Sequence, residues 1–136
     1  MPRTEYGQQL QEVQDEVLLI GSVVEKSIVR SIDALKNRDL ELSQRVVDED
    51  DEIDRCVIAL EERTIDIIAT QQPMAGDLRS LVTALNVASE LERIGDYAEG
   101  IAKISLTMGD EPPLKRLIDI PRMAEKATEM LRNSID

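Results

Sequence analysis

The 136-residue sequence predicts an all-α fold, an antiparallel three-helix bundle with an additional C-terminal helix. Three observations predict it. Apolar residues recur at spacings of three and four through most of the chain, which lines one face of a helix. The breaks between these runs are short and carry helix punctuation: Asn37-Arg38-Asp39, Gln71-Gln72-Pro73 and Gly109-Asp110-Glu111-Pro112-Pro113. The apolar share is 42% and almost wholly aliphatic, with no Phe, no Trp and two tyrosines, Tyr6 and Tyr97. Such side chains suit helix-on-helix packing.

The first segment covers about residues 6–36, with Val13, Val17, Ile20, Val24, Ile28, Ser31 and Leu35 on one face. Asp39 reads as the N-cap of the second, which runs to about residue 70 with Leu42, Val46, Ile53, Val57, Leu60 and Ile67 inward. Pro73 ends it, because proline disfavours helix in the residue before it. The third begins at Met74 or Asp77 and reaches about residue 106, with an early stripe of Leu78, Leu81, Val82, Leu85 and Ala88. The fourth, 114–136, sets Leu117, Ile120, Met123, Ala127, Met130 or Leu131, and Ile135 in an amphipathic row. Short connections make successive helices antiparallel neighbours.

Residues 20–33 lie without a gap on residues 123–136, with Ser-Ile-Asp identical at the end of both. Ile20, Val24 and Ile28 then fall on Met123, Ala127 and Leu131. The organisation expected is a bundle over residues 1–108 and, in 114–136, the first helix of a second, truncated repeat. The apolar stripe of that last segment needs cover, from the first three helices or from another chain, so a homodimer or exchanged helix is expected.

Charge narrows the partners. Acidic residues outnumber basic ones 28 to 16, for a net charge of −12. Nucleic acid and anionic membrane surfaces both call for a basic face, so neither is expected as a partner. No apolar run is long enough for membrane insertion, and the N-terminus lacks a signal-peptide core, so the expected location is the cytoplasm. Cys56 is the single cysteine, which precludes an intrachain disulfide, and it reads as a packed thiol. The absence of His removes the commonest general base and transition-metal ligand. Gly95 reads as a point of close helix approach, Gly76 as part of a turn, Arg79 as a surface partner of Asp77, and Tyr97 as structural.

Two acidic motifs share one spacing. Asp50 and Asp54 lie four apart in the second segment, Glu92 and Asp96 four apart in the third, and each pair stacks one turn above the other. Both pairs border the apolar stripe. In an antiparallel hairpin, residues at one height have numbers with a constant sum, about 146 for a turn near Pro73. Asp50 then faces Asp96, and Asp54 faces Glu92. Four crowded carboxylates need protons, cationic side chains or metal ions. Helical geometry turns Arg55 and Arg93 away. An all-oxygen set suits magnesium, calcium, manganese or ferric iron; a seam-edge network with water and lysines is the alternative.

At these residues the chain resembles the PhoU family of phosphate-uptake regulators. The resemblance is carried by Gln72-Pro-Met-Ala-Gly-Asp-Leu-Arg79 and by Ala84-Leu-Asn-Val-Ala-Ser-Glu-Leu-Glu-Arg-Ile-Gly-Asp-Tyr-Ala98, with a weaker match at residues 46–54. It implies paired three-helix bundles and metal ions, iron clusters or zinc, held by E(D)xxxD motifs. On this chain those motifs fall at Asp50, Asp54, Glu92 and Asp96. It also implies action with the phosphate ABC transporter ATPase and a sensor histidine kinase, holding the phosphate-starvation response off when phosphate is plentiful. The sequence departs from the family in length: its second unit is cut within the first helix, which leaves the second metal site out. No nucleophile–base pair or phosphate loop is present, so an enzyme is not expected. The rivals are a purely structural helical adaptor without metal and a carboxylate-bridged metalloenzyme, though ferritin-like sites use Glu-x-x-His motifs that a chain without His lacks.

Overall fold

A computed structural model describes residues 2–109, 111 and 117–135, and every regular element in it is helical. The order is α1 (Pro2–Asn37), α2 (Leu40–Gln71), α3 (Ala75–Met108) and α4 (Asp119–Ile135). Helices α1, α2 and α3 each pack on the other two, whereas the backbone of α4 approaches α1 alone.

The ends form where their residues dictate. Arg38 takes a left-handed conformation (φ 53°) between α1 and α2, and Asp39 caps α2 by accepting the Leu42 N–H at 3.0 Å. Gln72 is also left-handed (φ 46°), and Pro73 follows it. Gly109 (φ 61°) closes α3, its N–H donating to the Ser105 carbonyl at 3.1 Å and to that of Leu106 at 3.2 Å. Pro121 falls in the first turn of α4, where a missing N–H costs nothing.

The buried residues of α2 are Ser43, Val46, Asp50, Ile53, Val57, Leu60, Thr64 and Ile67, at spacings that alternate three and four. Those of α3 alternate likewise: Leu81, Ala84, Ala88, Leu91, Gly95, Ala98, Ala102 and Ser105. This is the heptad seam of a left-handed supercoil. Helix α1 completes the core with Val13, Ile20, Val24, Ile28 and Leu35, and Val17 is half-buried. Small residues on α3 let the three axes converge.

Several expectations change. The inward face of α3 is turned from the predicted stripe, leaving Leu78 38% and Val82 42% exposed, because alanines occupy the seam. Gly76 lies inside the first turn of α3, with open space where a Cβ would stand. Cys56 is exposed, one position before the seam residue Val57, and lines a groove between α1 and α2 with Leu19 and Val23. Arg79 makes no ion pair with Asp77 among the described residues; Asp77 accepts the Tyr6 hydroxyl at 2.9 Å. The fourth helix begins at Asp119, with Leu117 and Ile118 outside it and residues 114–116 and 136 beyond those described.

Helix α4 rests on α1 through Leu131, Ala124 and Ile135. A Cβ on Gly21 would collide with Cδ1 of Ile135, so the bare glycine seats that side chain. Arg132 pairs with Glu25 across the same contact. The cover is partial: Met123 stays 67% exposed and Met130 69%.

Candidate metal centre

Asp50 holds a seam position of α2 and is 3% exposed. Most acids could not occupy it. It fits because α3 presents Gly95 opposite: a Cβ there would meet Asp50 Oδ1 at 3.4 Å and Ile53 Cδ1 at 3.6 Å. The close approach expected of Gly95 is therefore made against the acid itself. Asp50 and Gly95 sum to 145, one less than the turn predicts.

Around Asp50 the two helices gather further carboxylates. One oxygen each from Asp50, Asp96 and Glu99 lie within 4.8 Å of one another. Of the four predicted residues, Asp50 and Asp96 join this group, whereas Asp54 and Glu92 flank it, both half-buried. The sequence reading missed Glu99. It sits three residues after Asp96 and seven after Glu92, on the same row of α3, so extending the row by one turn finds it. The search for acids four apart did not.

The electrostatics follow from this crowding. Burial pushes the Asp50 carboxyl from 3.8 up to about 8, helped by a hydrogen bond with Glu99 and by the charges of Glu99, Asp54 and Asp96. Two ionised carboxylates cannot hydrogen-bond, so this contact requires a proton held by the pair, and burial favours Asp50 as its site. Glu99 is lowered correspondingly, first by that bond and then by Lys103, whose ammonium pairs with it. Asp54 is raised by burial and by Asp96, Glu99 and Asp51. Glu92 is raised by burial and by Asp54, Asp96 and Glu61. Neither nearby arginine relieves the group. Arg93 bonds Glu90 at 3.4 Å, and Arg55 donates to the Asp51 carbonyl at 3.3 Å.

The donor set suits a cation. Asp50 Oδ1 and Asp54 Oδ1 are buried without a hydrogen-bond partner, a costly state that a bound cation relieves. All donors are carboxylate oxygens, which favour magnesium, manganese, calcium or ferric iron over softer ions. Carboxylates on facing helices of a bundle are a setting in which metal sites are built.

Comparison with known proteins gives these residues a context. Residues 17–105 match the PhoU domain model. A phosphate-specific transport system accessory protein PhoU homolog from Aquifex aeolicus is 37% identical over 127 residues, spanning 93% of this chain and 58% of that protein. The PhoU accessory protein of Escherichia coli K12 is 29% identical over 132 residues, spanning 97% of this chain and 55% of its own length. The crystal structure of the phosphate transport system regulatory protein PhoU from Streptococcus pneumoniae superposes with a TM-score of 0.86 at 25% identity, covering 96% of this chain and 61% of that one. The chain thus spans a little over half the length of the curated relatives it matches.

Proposed function

The chain belongs to the PhoU family, and from that premise we propose that it is a metal-binding regulatory protein of phosphate uptake. In this reading it acts in the cytoplasm, not as an enzyme but by contact with the phosphate ABC transporter ATPase and a sensor histidine kinase, holding phosphate uptake and the starvation response down. Helix α4 serves as the first helix of a second repeat, and its unfilled face is covered in a homodimer or by further chain. Among the described residues no helix is long and apolar enough to cross a membrane, which accords with an accessory role beside a transporter.

One observation carries the metal reading: buried Asp50, with an unpartnered oxygen, sits at the centre of a carboxylate group inside the matched span. Asp50, Asp96 and Glu99 would hold the ion, with Asp54 and Glu92 within reach of a second or of its waters. A hard cation bound there would supply positive charge that ties α2 to α3. Binding to the folded form alone stabilises it by about 2.7 kcal/mol at a hundredfold excess over the dissociation constant.

The test compares melting temperatures of the wild type and a D50N/D96N variant with and without manganese or magnesium, alongside elemental analysis of protein prepared without chelator. The wild type should gain stability with metal and the variant should not. Equal gains in both, with no co-purified metal, would sink the metal reading. The structural adaptor would then stand in its place. One feature favours that second reading: a proton on Asp50 and the ammonium of Lys103 already offset part of the charge.

A further inference from the structure

Resting on the metal reading above, we infer that Lys103 is a tethered counter-cation that occupies Glu99 in the metal-free protein and must leave it for an ion to bind. The role of Lys103 follows from its place on α3. It lies one turn beyond Glu99 on the same face, and its ammonium is ion-paired with that carboxylate. Glu99 is one of the three residues whose oxygens converge on a single point. The lysine is the cation that pairs with the converging group among the described residues, since Arg55 and Arg93 bond elsewhere.

The two partners differ in freedom. The side chain of Glu99 is 19% exposed and that of Lys103 60%, so the carboxylate is fixed and the ammonium is on a mobile stem. Metal and lysine compete for the same oxygens, and a divalent ion that arrives finds both an occupied ligand and a like charge. The pairing therefore raises the cation concentration needed to load the site. Loading the ion frees an ammonium at the surface beside the seam, so the occupied and metal-free proteins differ in an exposed positive charge.

Manganese titrations by calorimetry of the wild type, K103M, K103R and K126M test this, with Lys126 an exposed lysine on α4 as control for net charge. K103M should bind manganese severalfold more tightly, because no ammonium competes for Glu99. K103R should match the wild type. In the wild type, amine labelling at Lys103 should quicken when manganese is added. If K103M binds no better than the wild type, or K126M gains as much, the tethered cation is overturned while the metal site stands. If neither the wild type nor K103M binds manganese, the metal reading itself fails, and this inference with it.

Discussion

A buried aspartate is the residue on which most of the behaviour turns. Asp50 has its carboxyl pushed up from 3.8 to about 8, chiefly by burial, so the folded state holds a proton that the unfolded state has released over that range. Where the folded state binds more protons, stability falls as pH rises. The metal-free protein should accordingly lose stability from about the ordinary carboxylate range up through pH 8 and change little beyond it. The raised Asp54 and Glu92 act in the same direction, and the lowered Glu99 opposes them only at the acid end. The D50N variant keeps the shape without the titration. Urea unfolding in chelator across this window should show a flatter profile for D50N, and a crossover above pH 8 at which it is the more stable protein. An identical slope in both would place the charge strain elsewhere.

At the scale of elements, the sequence foretold the number of helices, the antiparallel packing of α1–α3 and most of the core, whereas α4, expected beside α3, packs on α1. The stripe of α1 and the cap at Asp39 follow from spacing and residue type, which local geometry controls. The rotation of α3 did not follow. Its seam is built of Ala84, Ala88, Gly95, Ala98 and Ala102, residues too small to stand out against Leu78 and Val82, yet small size is what lets the neighbours close in. Glu99 was hidden for a related reason: whether an acid belongs to the cluster depends on which way α3 faces. The docking of α4 was foreseen only as a need for cover. Gly21 gives it a test. G21L fills the seat of Ile135 and should loosen α4, measured as faster amide exchange in residues 119–135 with α1–α3 unchanged. By contrast, G100A meets nothing within 4 Å and should gain about 0.5–1 kcal/mol of stability from helix propensity.

For the molecule as a whole, most of the core and all of the carboxylate group lie within α1–α3, and α4 adds a flank to α1 that contributes Leu131 to the core. A chain ending at residue 109 should therefore fold to an all-helical bundle by circular dichroism, retain manganese binding, and unfold at lower urea because the α1 face under Leu131 and Ile135 is bared. Loss of the cooperative transition in that variant would make α4 part of the fold instead of an addition to it. The position of the acids at mid-bundle, away from both hairpin turns, means that a cation there ties α2 to α3 at the centre of their length.

The scarcity of rings has an optical consequence. With no Trp and no Phe, near-ultraviolet emission comes from Tyr6 and Tyr97 alone. Tyr6 donates to Asp77 at the tip of the α2–α3 hairpin, and Tyr97 follows Asp96, 69% exposed. Twenty residues of helix, about 30 Å, separate Asp77 from Tyr97. The two chromophores thus mark the tip and the middle of one helix. Subtracting the spectrum of a Tyr97→Phe variant from that of the native chain isolates light emitted where α3 faces Ile28 of α1 and Met123 of α4, without any dye or label attached.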